Sequence, residues 1–110
     1  MRVSRIEKKC RITGLSSEQN LRASHIKPWR LSNPFEKLDG NNGLMLSPHV
    51  DHLFDRGFIS FTASGNLLVS TKISTDVLEA WKIEDDLNVG QFSPDQEVYL
   101  QFHRQYVFMQ

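Results

Sequence analysis

The sequence predicts an α+β fold. The expected core is two strands and a short helix, flanked by an N-terminal helix, a β-hairpin and two C-terminal helices. Three observations carry this. Two short apolar segments, "LRASHI" and "GLMLS", bracket the turn-rich "DGNNG" (Asp39–Gly43). Directly after the second comes "SPHVDHLFDRG", with Val50, Leu53 and Phe54 at the i, i+3, i+4 spacing of one helix face. Two further segments, opening at Ser74 and Ser93, repeat the pattern of a capping residue followed by helix-forming sequence.

Taken in order, "RVSRIEKK" sets Val3 and Ile6 three apart, as in a short helix ending near Cys10. "CRITG" reads as a brief strand or knuckle stopped by Gly14, and "SSEQN" as a loop. "LRASHI" is a strand whose ladder Pro28 limits, because proline has no N–H to donate. "SNPFEKL" is a loop or a single helical turn, and "GLMLS" is the second strand. For the helix that follows, Ser47 stands at the N-cap, Pro48 at the first helical position and Gly57 at the stop. "FISFTASGNLLVS" is a hairpin turning at Ser64-Gly65-Asn66. In the closing segment Ser93 and Gln96 have capping-box spacing, with Pro94 at the first helical position. Trp81, Tyr99 and Phe102 are read as core, and Trp29 as core with stacking on a base as the alternative.

Internal repeats and low-complexity linkers are missing, so residues 1–110 are expected to form one domain with its core at about 20–56. No apolar run reaches the ~20 residues of a membrane helix. Cys10 is the single cysteine, so an internal disulfide is excluded and a reducing, cytoplasmic location expected. Net charge is zero, but it is unevenly spread. Residues 1–37 carry nine basic side chains against three acidic, a net of +6, and the remainder four against ten, a net of −6. A basic front half suits a phosphate backbone; the competing reading pairs the two halves across the fold.

A further question is why "RASHIKPWR" places His25 in an apolar run and follows it with Lys-Pro-Trp-Arg. At ~100° per residue, Asp51 and Asp55 lie together on one flank of the Val50/Leu53/Phe54 stripe, where the helix would meet the strand bearing His25. Carboxylates four apart on a helix repel by a few tenths of a kcal/mol. A hard divalent cation such as Mg²⁺ or Mn²⁺ would remove that cost.

The segments "CRITG", "LRASHIKPW" and "NGLMLSPHVDHLFDRGFISF", in this order and spacing, resemble the HNH endonuclease family of the ββα-metal group, from Cys10 to about Phe61. "YLQFHRQYVF" resembles the end of such domains in restriction-type enzymes. The resemblance assigns His25 as the first family histidine and Asn42 as the central asparagine. Asp51 stands where the last histidine usually lies, and Ser24 where an acidic residue or histidine often precedes the catalytic one. The cysteine pairs of a zinc ribbon are missing, with Leu15 where a second Cys is often seen, so no structural zinc is expected.

The function implied is metal-dependent hydrolysis of DNA phosphodiester bonds, leaving 5′-phosphate and 3′-hydroxyl ends, as in a restriction-type or defence nuclease. His25 would be the general base, since a neutral imidazole accepts a proton near neutral pH. Asp51 would hold the divalent ion, with Asp55, Ser24 or the His25 carbonyl as helpers; the competing reading of Asp55 has it cap or pair with Arg56 in the tight "FDRG" turn. Asn42 would tie the loop and orient His25 rather than touch metal. Arg22, Lys27, Arg30, His52, His103 and Arg104 are the candidate contacts to double-stranded DNA. A homodimer, or attachment to a separate DNA-reading domain, fits a core that grips backbone. The alternative is an HNH-fold module that binds DNA with weakened catalysis.

Overall fold

The computed structural model describes residues 6–110. Most of the expected N-terminal helix, Met1–Arg5, lies outside the described residues, and Ile6–Cys10 are irregular rather than helical. Cys10–Leu15 form a knuckle: the Cys10 carbonyl accepts from Gly14 N–H at 2.8 Å, and Cys10 N–H donates to Leu15 O at 3.0 Å. Gly14 takes φ +77°, the left-handed region that closes this turn.

Strand β1 (Arg22–His25) pairs antiparallel with β2 (Gly43–Leu46), with His25 opposite Gly43 and Arg22 opposite Leu46. Between them runs a long connection with 3₁₀ turns at Trp29–Leu31 and Gly40–Asn42 and a five-residue helix α1 (Pro34–Leu38). The "SNPFEKL" turn is thus helical. Asn33 caps it, accepting from Glu36 N–H while the Glu36 carboxylate accepts from Asn33 N–H, a complete capping box.

Helix α2 (Pro48–Asp55) follows β2 and lies against β1. Ser47 and Pro48 take the expected positions, but the Ser47 hydroxyl does not cap the helix backbone. It pairs instead with the Thr13 hydroxyl at 2.7 Å and ties the N-terminal knuckle to the start of α2. The helix stops at Gly57, whose φ of +79° admits the turn. A Cβ there would also sit 2.1 Å from the Val107 carbonyl oxygen, so glycine lets the C-terminal segment pass against the helix end.

The hairpin is β3 (Ile59–Phe61) with β4 (Leu67–Val69), and α3 (Thr75–Ala80) and α4 (Pro94–Phe102) complete the chain. Ser93 and Gln96 form the predicted capping box. Beyond Phe102 the backbone widens into a π-turn over His103–Val107, with Phe108 N–H reaching back to His103 O at 2.8 Å. The fold is α+β. Its apolar core runs from Cys10 to Leu100 and joins Val50, Leu53 and Phe54 of α2 with Ile26, Leu44, Ile59, Phe61 and Leu100 in one cluster.

Two tryptophans depart from expectation. Beyond Pro28 the chain leaves the strand direction in the 3₁₀ turn Trp29–Leu31, and Trp29 is 55% exposed. Trp81 ends α3 on the surface beside His49 and His52. Tyr99 is buried, and Phe102 is half-buried.

Candidate active site

His25 ends β1, and its ring is held by the connection that follows. Nε2 lies 3.0 Å from the Lys37 carbonyl oxygen. A carbonyl only accepts, so in the neutral ring the proton resides on Nε2 and the lone pair on Nδ1. The Trp29 and His25 rings meet in a T-shaped contact at 5.3 Å between centroids, which restricts rotation of the imidazole.

The Lys37 carbonyl is itself positioned by Asn42. This side chain is fully buried, with Oδ1 accepting from Lys27 N–H at 2.8 Å. Nδ2 donates to the Glu36 carbonyl at 3.0 Å and to Ser32 Oγ at 3.4 Å. One amide therefore clamps the chain just after β1 to the end of α1, one residue from the carbonyl that holds His25. Asn41 does the ordinary turn work, with both its N–H and its amide on Asp39 Oδ1.

An open cleft of about 800 Å³ lies between β1 and α2. Ser24 and His25 from β1 and Asp51 and Asp55 from α2 line it together. The helix delivers both carboxylates because its apolar stripe is buried in the core, which turns their flank toward β1. No cluster of three or more His, Cys, Asp or Glu side chains gathers around one point among the described residues. The carboxylate pair and the imidazole face a shared opening rather than a closed cage.

Of the candidate DNA contacts, Arg30 lines the cleft and Arg22 is exposed on β1. Four others are placed differently. Lys27 Nζ is 3.0 Å from both Glu36 carboxylate oxygens and 4.9 Å from the Phe102 ring centroid, so it braces the connection. Arg104 is bound to Glu97 and to the Phe61 carbonyl at 3.0 Å, and the Glu97 carboxylate holds its guanidinium protonated more firmly than usual. His52 is exposed beside Trp81 and lines a separate, apolar hollow of about 180 Å³ with Leu53, Phe58 and Val77.

His103 is the clearest correction: it is 1% exposed and belongs to the core. Its ring stacks on Phe54 at 3.8 Å, Nδ1 meets Ser60 Oγ at 2.8 Å and Nε2 meets the Phe54 carbonyl at 2.9 Å. Burial pushes its pKa down to about 4, against the opposing pull of the Phe54 carbonyl. It is neutral and out of reach of a phosphate.

Sequence reasoning missed Arg56, Tyr106, Val107 and Met109, which also line the cleft. Arg56 was legible only as a neighbour for Asp55 in "FDRG". Tyr106 and Val107 lie in the "YLQFHRQYVF" segment whose resemblance was legible, but the placement of the C-terminal residues at the cleft was not, because it depends on the π-turn and on Met109 N–H pairing with Gly57 O at 2.8 Å.

The comparisons agree with this architecture. Residues 10–62, spanning the knuckle, both strands of the first sheet, α2 and β3, match the model of the HNH endonuclease family. No curated protein matches the chain. With His25 at the end of β1, Asn42 locking the connection and α2 facing the cleft, residues 10–62 have the arrangement that their match to the HNH endonuclease family implies.

Proposed function

We propose that the protein is a divalent-metal-dependent endonuclease acting on double-stranded DNA, with residues 1–110 working as one nuclease domain of a restriction-type or defence system. The observation that carries this is the oriented imidazole. His25 is fixed with Nε2–H on the Lys37 carbonyl, which leaves Nδ1 as the proton acceptor beside two carboxylates in an open cleft. A proton-accepting histidine next to a paired-carboxylate flank is what activation of water for phosphodiester hydrolysis requires.

The donor set fits a hard, hydrated ion. Mg²⁺ keeps several of its waters and takes one or two carboxylates plus substrate phosphate, and Asp51 and Asp55 offer that number on one helix flank. Asp51 and Asp55 would hold the ion, with Ser24 at the margin. When bound it neutralises charge on the phosphate and the departing 3′-oxygen. The chain's own residues do the rest. His25 Nδ1 takes the proton from the attacking water, Lys37 O and Trp29 keep the ring in place, and Asn42 keeps Lys37 in place. Arg30 and Arg56 offer guanidinium groups to the phosphates on either side. Products would carry 5′-phosphate and 3′-hydroxyl ends.

The test is plasmid nicking with added Mg²⁺ or Mn²⁺, by wild type and His25→Ala in parallel. We expect metal-dependent nicking abolished by EDTA, and a loss of about 10²–10⁴-fold in His25→Ala, with DNA affinity nearly unchanged. Equal rates in the two proteins would remove the assignment. DNA binding without cleavage, regardless of metal, would favour the weakened-module alternative.

A further inference from the structure

Resting on the nuclease reading above, we propose that Trp29 and Tyr106 form a base-stacking platform, and that the preferred substrate is duplex DNA presenting an unpaired base next to the scissile phosphate. Four independent features lead there.

First, both aromatic rings line the same cleft as His25, Asp51 and Asp55, and both are well exposed, Trp29 at 55% and Tyr106 at 66%. Neither contributes to the buried core. Each is brought there by a special piece of backbone, Trp29 by the 3₁₀ turn after Pro28 and Tyr106 by the π-turn. Leu31, also exposed, widens the apolar rim on the Trp29 side.

Second, the cleft's own side chains carry no excess of cations apart from the ion proposed above. Its lining arginines, Arg30 and Arg56, are matched in number by Asp51 and Asp55. The cations that might have reinforced it, Lys27 and Arg104, are committed to Glu36 and Glu97. Affinity must draw on something besides charge, and stacking is the interaction the remaining surface offers.

Third, Trp29 lies one ring from the general base, at 5.3 Å between centroids. A nucleobase resting on Trp29 therefore holds its neighbouring phosphodiester within about one nucleotide step of His25, given the ~3.4 Å rise per nucleotide of a strand. Fourth, the Lys37 ammonium sits 4.5 Å from the Trp29 ring centroid and has no carboxylate partner among the described residues. Lys37 covers that face, so a base stacks on the exposed remainder of the ring while the ammonium meets its phosphate. A base inside an intact duplex has both faces covered by its neighbours and cannot use such a platform, whereas a bulged, mismatched or flap base can.

The experiment uses the full chain with Mg²⁺ and two oligonucleotide substrates of one sequence, a fully paired duplex and the same duplex with one single-base bulge. Affinity and single-turnover cleavage are measured on both. Wild type should favour the bulged substrate about tenfold, the scale of one stacked base. Trp29→Ala should remove most of that ratio, Trp29→Phe should retain it, and Tyr106→Ala should reduce it. In a Trp81→Phe background the remaining tryptophan emission should quench on binding the bulged duplex. A wild type indifferent to the bulge, or a ratio unchanged in Trp29→Ala with a normal thermal melt, overturns the platform. The two readings fail separately. His25-dependent cleavage without a bulge preference keeps the nuclease and removes the platform, whereas a Trp29-dependent preference in binding without any cleavage does the reverse.

Discussion

At the residue scale the centre of the site is a chain of restraint two links long. Asn42 fixes the Glu36 carbonyl, and the next carbonyl, Lys37, fixes His25. The buried amide uses both halves of its chemistry, accepting at Oδ1 and donating at Nδ2. Asn42→Asp preserves the shape but replaces the donor with an acceptor facing another acceptor. It should destabilise the domain by about 1–3 kcal/mol, the cost of leaving a buried partner unsatisfied, and slow cleavage, without tightening metal binding. A thermal melt beside calorimetric metal binding checks this; a folded mutant with tighter metal binding would make Asn42 a ligand. The spacing of Asn42 from His25 was legible in the sequence. Its partners were not, because the Ser32 hydroxyl and the Glu36 carbonyl come within reach only once the connection folds.

At the element scale α2 does two jobs with two faces. Val50, Leu53 and Phe54 are buried, and this fixes the rotation that presents Asp51 and Asp55 to the cleft. Because Asp51 sits beside the apolar stripe rather than within it, Asp51→Ala should fold normally. Activation by Mg²⁺ or Mn²⁺ should shift to clearly higher metal concentration, since a hydrated ion held by so few protein groups depends heavily on each. Unchanged metal dependence would place the ion elsewhere on the domain. The helix was legible almost to the residue from Pro48, the apolar spacing and Gly57. The use of Ser47 was not, since the Thr13 hydroxyl that claims it is distant in sequence.

At the scale of the whole molecule, charge and acid stability take their form from the fold. Arg22 and Arg30 of the basic front half pair with no carboxylate among the described residues. The ion pairs among the described residues, Arg11–Glu7, Lys27–Glu36 and Arg104–Glu97, each join residues of the same half. Arg22, Arg30 and Arg56 stay exposed. DNA affinity should therefore fall with salt at a slope near −3 in log K against log salt, about −0.9 per phosphate contact, and a flat response would count against a phosphate-binding face.

Acid stability should turn on His103. Folded, it titrates at about 4 because burial disfavours the cation; unfolded, an imidazole titrates near ~6.5. The folded chain binds fewer protons in that interval, so stability is full above about pH 6.5 and falls as pH drops toward 4, by about 3 kcal/mol. Urea unfolding from pH 7 to 4 should show that slope, and His103→Gln should flatten it. Carboxylates act lower. Burial pushes Glu7 up, but hydrogen bonds from Arg11 and Gln96 outweigh it, and the Asn33 N–H and Lys27 hold Glu36 down. Stability drawn from both is lost only as pH falls below the ordinary carboxylate range.

The sequence by itself determined the α+β class, the two strands around a turn-rich connection, the position and orientation of α2, the hairpin and the Ser93 capping box. All of these rest on local patterns: period, caps and turn residues. It also placed His25, Ser24, Asp51 and Asp55 in one neighbourhood, because a strand end and a helix flank are computable from spacing. Tertiary structure alone decided which cations are free and which aromatics are exposed. His103, Lys27 and Arg104 look like surface groups in one dimension and are claimed by Phe54, Glu36 and Glu97 in three. Trp29 looks like core and is carried outward in the 3₁₀ turn after Pro28. The physical reason is the same throughout. Local backbone preference reads from neighbouring residues, whereas the partner of a polar or aromatic side chain is set by where distant segments pack.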